Sequence, residues 1–212
     1  MRAGQRLIAE DGYEVMLFPL EYIVISQGEN GTTSHQGTYN IDFLGWGTGG
    51  RVTHCPMYAP CTCHCVATID ANNNGRIFQS NDKVHLADGS LRYVTFMCFH
   101  DNNPIASVGS NFTQGAVFAH TGTAGHTTGD HTHFNTAYGQ YAGWTFSPQG
   151  HGMLVNSSHI YNTCYVNDTV IRQGYGYNWK TYHGGVTPTP DYRKYKFKWV
   201  LYANKLRNKN IV

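Results

Sequence analysis

The sequence predicts a mainly β protein, and three compositional features support this prediction. Glycine accounts for 24 of the 212 residues, aromatic residues for 14% and charged residues for only 13%. The charged fraction is about half the ~25% of an average soluble protein. Disordered chains are rich in charge and poor in aromatic residues, so disorder is excluded. Helical bundles are rich in Ala, Glu, Lys and Leu, so that class is excluded as well.

Short runs of β-branched and aromatic residues, bounded by turn residues, predict the individual strands. Residues 70–75 (DANNNG) form a turn pattern of the hairpin kind between two of these runs. Residues 91–100 alternate aromatic and polar positions, which predicts a half-buried strand. The predicted strands cover residues 22–26, 66–69, 76–78, 91–100, 116–119 and 132–137.

The distribution of charge predicts two regions in the chain. The formal net charge is +2, yet the last 22 residues hold seven of the 15 Lys and Arg residues. We expect a domain over residues 1–186, then a proline-containing linker and a basic, aromatic tail over 187–212. From Lys194 to Trp199 lysines alternate with aromatic residues, which fits an edge strand docked on the body. The alternative is attraction to an anionic wall polymer or a virion protein; no nucleic-acid-binding motif accompanies the charge.

No segment approaches the ~18 consecutive apolar residues that a membrane span requires, and the first residues lack the apolar core of a secretion signal.

Six cysteines are too few for a disulfide scaffold. Four of them lie close together, at positions 55, 61, 63 and 65. We interpret them as small buried thiols. A metal cluster is the alternative, although structural zinc sites usually use C-x₂₋₄-C pairs.

A pair of histidines gives the sharpest indication of chemistry. His131 and His133 follow a glycine turn in the segment TTGDHTHF. On a strand, residues i and i+2 point to the same face, about 6.6 Å apart along it. The two imidazoles would then be directed at one point, where a metal ion could bind.

A second segment supplies one imidazole and one carboxylate. His35 and Asp42 lie seven positions apart around a glycine turn. A catalytic zinc uses three nitrogen or oxygen ligands and one open position. His35, Asp42 and one histidine of the pair would meet that need, although Asp42 alone also fits a turn-capping aspartate.

These segments together resemble the lysostaphin/LytM family of zinc peptidoglycan endopeptidases. TTGDHTHF stands where the family has STGPHLHF, and residues 114–125 (QGAVFAHTGTAG) are similar to its G-Q-x-I-G…G-x-T-G segment. Residues 58–60, 66–69 and 75–77 are similar to its A-P-x-x-G-x-V strand pair. The resemblance covers roughly residues 20–145.

The resemblance implies an antiparallel sheet core with long loops and few short helices. It implies zinc ligands at His35, Asp42 and His133, with His131 as the general base. His100 would be a further catalytic histidine, which orients the attacking water or stabilises the developing oxyanion, although FMCFH matches the family's Y-x-H-L only in part.

Three departures from the family pattern affect the shape of the groove. The spacing from His35 to Asp42 exceeds the common H-x-x-x-D, Asp130 replaces proline, and Thr132 replaces leucine.

His120 and His126 are weak candidates for substrate contact. The remaining histidines have no motif around them and are interpreted as turn or surface residues: positions 54, 64, 85, 151, 159 and 183. The glycine-rich segment 45–50 is interpreted as a flexible rim loop, because it lacks the lysine and helix of a phosphate loop.

The implied activity is that of a zinc metallo-endopeptidase that cuts peptide bonds in bacterial peptidoglycan. The expected source is a bacteriophage, either as a free endolysin held in the host cytoplasm until release or as a lysin of the virion tail. The length of the chain favours the free lysin. Two alternatives remain open: a catalytically inert wall-binding or virion structural module, and a zinc amidase of the cell wall.

Overall fold

The computed structural model describes residues 1–70 and 73–165, together with the backbone of residues 197–201. One short helix, α1 (Ile160–Thr163), lies within this part of the chain. Its strands are β1 (Gln5–Ala9), β2 (Val24–Gln27), β3 (Ile41–Leu44), β4 (Trp46–Gly47), β5 (Gly50–Arg51), β6 (Pro56–Tyr58), β7 (Cys63–Ile69), β8 (Gly75–Ser80), β9 (Val84–His85), β10 (Leu91–Arg92), β11 (Val94–Phe99), β12 (Asn111–Phe112), β13 (Val117–His120), β14 (Thr132–Tyr138), β15 (Trp144–Phe146), β16 (Gly152–Leu154), β17 (Ser157–Ser158) and β18 (Phe197–Leu201).

The main sheet has eight strands in the order β12-β7-β8-β11-β14-β3-β2, with β17 also pairing with β14. Every pair of neighbouring strands in it is antiparallel. The predicted fold class, a mainly β protein with an antiparallel core and little helix, is therefore confirmed. Each predicted strand overlaps an observed one. Residues 45–50, predicted as a flexible loop, overlap the small β4–β5 hairpin, which ends at Arg51.

The prediction of a half-buried strand over residues 91–100 was wrong in two respects. The run is divided by Tyr93 into β10 and β11, and all six residues of β11 are buried. The reason is that both faces of β11 are covered. Phe96 and Cys98 face one apolar cluster, while Met97 and Phe99 face another.

A cluster of phenylalanine rings fills the larger core on one side of the sheet. Phe96 is fully buried, and its ring centroid lies 5.4 Å from Phe78, 5.7 Å from Phe118 and 6.2 Å from Phe134. Such edge-to-face and offset contacts add to the free energy gained from area burial. The smaller core on the other face includes the β15–β16 hairpin, which contributes Leu154 and Met153.

The cysteines are buried thiols, as predicted. Cys61, Cys63 and Cys65 are at most 1% exposed and belong to the larger core, as do Cys98 and Cys164. Cys63 and Cys65 alternate along β7 with the half-buried His64. Burial raises the pKa of the Cys63 thiol well above its ordinary value, because the thiolate would lose its hydration.

Of the predicted tail, the structure describes residues 197–201. This strand, β18, pairs antiparallel with β1, with Ala9 opposite Phe197 and Gln5 opposite Leu201. The domain boundary predicted at residue 186, the proline-containing linker and the rest of the tail lie outside the described residues. In the part that is described, no helix has both the length and the apolar character that crossing a bilayer requires.

We expect Phe96→Ala to lower the free energy of unfolding by about 3–5 kcal/mol, because it leaves a cavity among the buried rings. Urea denaturation followed by tryptophan fluorescence measures this change. Phe146→Ala is the matched control, since Phe146 is 62% exposed, and it should change the free energy by less than about 0.5 kcal/mol. Similar losses in the two variants would contradict the assignment of Phe96 to the main core.

Candidate metal centre and catalytic histidines

A compact loop between β2 and β3 places His35 in the interior. The His35 N–H donates to the Gly31 carbonyl at 2.9 Å, and the Thr38 N–H donates to the His35 carbonyl at 3.0 Å. The hydroxyl of Thr38 donates to the same carbonyl at 2.9 Å. These bonds fold the chain into consecutive turns, so the His35 side chain is directed inward and is fully buried.

The pairing of β3 with β14 places Asp42 directly opposite His133. The neighbouring pair, Phe43 opposite Thr132, points to the other face of the sheet, where Phe43 joins the larger core. Alternation along the two strands therefore separates an apolar face from a polar one. His131 lies just before β14 and on the same face as His133, as the spacing predicted.

Three donor atoms converge at this point of the sheet. His35 Nε2 lies 3.3 Å from His133 Nδ1 and 3.4 Å from Asp42 Oδ1. His133 Nδ1 lies 3.1 Å from the same Asp42 oxygen. Tetrahedral zinc with bonds of about 2.0–2.1 Å separates its ligand atoms by about 3.3 Å. The three separations therefore fit one zinc ion and the three ligands that the resemblance implies.

Backbone carbonyls fix the orientation of the imidazoles of His35 and His133. His35 Nδ1 donates to the Gly28 carbonyl at 3.2 Å, and His133 Nε2 donates to the Gly152 carbonyl at 3.0 Å. A carbonyl only accepts, so in the neutral rings the hydrogens lie on these outer nitrogens. The inner nitrogens then carry lone pairs that face each other and a carboxylate. A shared proton or a metal ion would stabilise donors this close together, and outer hydrogen bonds of this kind are typical of metal-bound histidine.

The carboxylate of Asp42 is held from its other side by Gln27. Gln27 Nε2 donates to Asp42 Oδ2 at 3.0 Å and to Ser34 Oγ at 2.7 Å. Burial raises the pKa of Asp42, but the hydrogen bonds and charge interactions with His133 and His35 outweigh burial. The net pKa lies well below the ordinary value, so the carboxylate is ionised. Gln27 was not predicted as part of the site, because no sequence motif marks it.

His131 lies beside the three converging donors. Its Nδ1 donates to the Gly129 carbonyl at 2.8 Å, and its Nε2 lies 3.9 Å from Asp42 Oδ1. An isolated bridge to Gly122, with two backbone hydrogen bonds of 3.0 Å, holds the residue in place. Because the Nδ1 hydrogen is engaged, the neutral ring has its lone pair on Nε2, and the residue lines the cleft. His131 can therefore accept a proton there.

His100 faces His131 from the end of β11. The ring centroids lie 4.6 Å apart, and His100 Nδ1 donates to the Ala124 carbonyl at 2.7 Å. Burial, and then the neighbouring His131, lower the pKa of His100 to about 4, so its ring is neutral near pH 7. The backbone φ of His100 is +82°, a region that residues other than glycine rarely adopt. Strain of this kind is concentrated at functional sites.

Gly122 allows the segments that carry His131 and His100 to approach each other. A Cβ at this position would overlap the backbone carbonyl of His100 and the side chain of Asn102. Backbone atoms can shift only slightly, so a larger residue at position 122 would displace His100. Gly122 falls within the segment 114–125 that suggested the family resemblance.

The site opens into a cleft of about 630 Å³ that is lined by polar side chains together with Leu44. His126 and His151 line both this cleft and a smaller one that adjoins it. His126 therefore lies on the wall of the site, and its contact with a substrate stays a prediction. His151, interpreted from the sequence as a turn or surface residue, lies on the wall of the site, with its ring 6.4 Å from that of His133. His120, the other weak candidate, is not among the residues that line these clefts.

Asp130, which replaces the proline of the family motif, connects three segments. Its Oδ1 accepts from Thr121 Oγ1 at 2.5 Å, and its Oδ2 accepts from the backbone N–H of His54 at 2.9 Å. The Arg51 guanidinium donates to its carbonyl at 2.8 Å. The residue before His131 is thus fixed by side-chain bonds.

No family model matches the chain. The chain is 40% identical over 171 residues to "Morphogenesis protein 1" of Bacillus phage B103, a match that covers 80% of this chain and 45% of that protein. The chain therefore spans slightly less than half of that relative.

Three solved structures are similar to this one. A zinc-containing peptidase from Vibrio cholerae is 19% identical, with 63% of this chain and 43% of that one covered and a TM-score of 0.44. The catalytic domain of lysostaphin from Staphylococcus simulans is 19% identical, with 55% and 79% covered and a TM-score of 0.40. A mutant catalytic domain of the prophage-encoded M23 protein EnpA from Enterococcus faecalis is 15% identical, with 65% and 88% covered and a TM-score of 0.43. These solved structures are of peptidases, and they include lysostaphin, the namesake of the family that the sequence resembles.

We expect Asp130→Ala to lower the free energy of unfolding by about 1–3 kcal/mol, because the buried hydroxyl of Thr121 loses its acceptor. Urea denaturation measures the loss. Asp82→Ala is the control, since Asp82 is exposed, and its effect should stay within about 0.5 kcal/mol. An Asp130 variant as stable as the parent protein would show that these hydrogen bonds contribute nothing.

Proposed function

We propose that this chain is a zinc-dependent endopeptidase that hydrolyses peptide bonds of bacterial peptidoglycan. One observation carries the proposal. Two imidazole nitrogens and a carboxylate oxygen converge at separations of 3.1–3.4 Å beside a cleft, with the Nε2 of His131 3.9 Å from that oxygen. This donor set leaves a coordination position for the reaction, as catalytic zinc sites require.

His35, Asp42 and His133 would hold the zinc ion, and Gly28, Gly152 and Gln27 would hold these ligands in place. Bound Zn²⁺ would polarise the scissile carbonyl and lower the pKa of water from 15.7 to about 7.

His131 is the proposed general base. Its Nδ1 hydrogen is engaged by the Gly129 carbonyl, so the proton of the attacking water is taken up at Nε2. The same nitrogen then delivers the proton to the leaving amine. Imidazole is the side chain most often used for both transfers near neutral pH.

His100 is proposed to orient the attacking water. Its only ring hydrogen, on Nδ1, is donated to the Ala124 carbonyl. In the neutral ring, Nε2 therefore has a lone pair and no proton. It can accept a hydrogen bond from water but cannot donate one to a developing oxyanion. The geometry thus favours the first of the two roles that the sequence suggested.

The cleft is consistent with a peptide substrate. It is lined by Ser26, Thr33, Thr127 and Thr128, among other polar residues, and its volume falls in the range of about 300–1,000 Å³ typical of ligand sites. Hydroxyl groups along its walls can bond to the amide groups of an extended peptide. Peptidoglycan is the proposed source of that peptide because of the likeness to lysostaphin-type peptidases.

The proposed source is a bacteriophage, and the proposed place of action is the bacterial cell wall. The relative from Bacillus phage B103 is named a morphogenesis protein. That name supports an enzyme carried on the virion over a free endolysin. A catalytically inert virion module stays an alternative for the same reason, and release of wall fragments distinguishes the two.

We expect His131→Ala to keep the zinc content of the parent protein and to lose about 10²–10⁴-fold in the rate of wall hydrolysis. His133→Ala should lose both the activity and one equivalent of zinc, because it removes a ligand. Elemental analysis of the purified variants, together with release of amino groups from purified walls, measures both properties. Loss of zinc from His131→Ala would move His131 into the ligand set.

Fragments released from purified Bacillus walls should carry new amino groups on stem or cross-bridge residues, as identified by mass spectrometry. Intact stem peptides cut from the sugar would instead identify an amidase. An absence of any release by zinc-loaded protein would identify a binding or structural module. His131→Ala serves as the matched control for contaminating hydrolases.

A further inference from the structure

A second group of potential metal ligands lies outside the site described above. His54, Asp101 and His120 each offer one donor atom, and these atoms lie within 4.8 Å of one another. None of these three residues takes part in the proposed mechanism. The group draws on three separate parts of the chain, so the fold and not a local motif brings it together.

The carboxylate of Asp101 is fixed at the centre of this group. The residue is 2% exposed; its Oδ1 accepts from the Asn103 N–H at 2.9 Å, and its Oδ2 accepts from the His120 N–H at 2.8 Å. A carboxylate has about four lone-pair positions, so each oxygen can accept one more partner. The carboxylate is therefore held in place, and each of its oxygens can still bind a metal ion.

The imidazole of His120, at the end of β13, has a buried nitrogen without a hydrogen-bond partner. Its Nδ1 is inaccessible to solvent and makes no hydrogen bond to any described residue, although Asp101 Oδ2 lies 3.5 Å away. Buried polar atoms are nearly always satisfied, so such an atom requires an explanation. An ion held between Nδ1 and the carboxylate would satisfy both groups.

The ring of His54 lies on the solvent side of the group. It is stacked on His120 with a centroid distance of 4.3 Å and an interplanar angle of 12°. His54 is exposed, so its ring can turn to bring one nitrogen closer to the carboxylate. Imidazole nitrogen together with carboxylate oxygen is a donor set that zinc accepts.

We propose that His54, Asp101 and His120 form a second zinc site, with the remaining coordination position open to solvent. This site shares no residue with the centre at His35. Its ion would join the loop before β6, the end of β13 and the segment after β11. Asp101 directly follows His100, and the His54 N–H is bonded to Asp130, which precedes His131. The second ion would thus stabilise the segments that carry the two proposed catalytic histidines.

The test is the zinc content of the full chain after equilibrium dialysis against zinc, measured by elemental analysis. The parent protein should bind two equivalents, and His54→Asn and His120→Gln should each bind one. Asparagine tolerates the φ of +50° at position 54, and its amide oxygen is a poor zinc ligand. His64→Asn is the matched control, since His64 lies on β7 and bonds to Asn81, and it should keep two equivalents.

The variant His133→Ala distinguishes this proposal from the proposed function. It should bind one equivalent, and the combination with His54→Asn should bind none. One equivalent in the parent protein that is lost with His133→Ala, or two equivalents in both His54→Asn and His120→Gln, would overturn the second site. A cysteine site would give a different result: Cys63→Ala would lose the second equivalent, and the cobalt-loaded parent protein would show thiolate-to-metal absorption. That result would overturn the site at His54, Asp101 and His120.

Discussion

The antiparallel register between β3 and β14 is the constraint on which the candidate site depends. It sets Asp42 opposite His133 and Ile41 opposite Phe134. A slip of one residue would exchange the two faces of a strand. The carboxylate would then point into the phenylalanine core, and Phe43 would point into the cleft. The same apolar residues that hold the sheet together therefore also select the register that assembles the donor atoms.

Backbone carbonyls also organise the site, because they orient the imidazoles of His35, His100, His131 and His133. The acceptors belong to Gly28, Gly129, Gly152 and Ala124, in four different loops or strand ends. Each bond fixes a ring tautomer without using a further side chain. Gly152 is the first residue of β16, and the β15–β16 hairpin packs on the smaller core. The packing of this hairpin therefore positions the Gly152 carbonyl, which accepts from His133 Nε2 and so orients the Nδ1 lone pair of that ring.

The sequence predicted the parts of the molecule that are encoded locally. Strand runs, the alternation that aligns His131 with His133, and the burial of the cysteine thiols all follow from patterns a few residues long. Gln27 and His151 were not predicted as parts of the site, because each acts through contacts with residues distant in the chain. The burial of β11 was underestimated for a similar reason. Its alternating pattern gives no information about the hairpin that covers its second face.

The strained backbone at His100 shows how these constraints combine. The residue has a φ of +82°, which costs about 1–3 kcal/mol where nothing compensates. Its N–H bonds to the Asn73 carbonyl and its own carbonyl accepts from the Ala124 N–H, while Gly122 leaves room for the close approach. Three segments must therefore be in place before His100 can face His131. Because the conformation is unfavourable by itself, it persists only where the surrounding fold imposes it. That conformation places the ring of His100 4.6 Å from the ring of His131 and on the wall of the smaller cleft, the position from which we propose that it orients water.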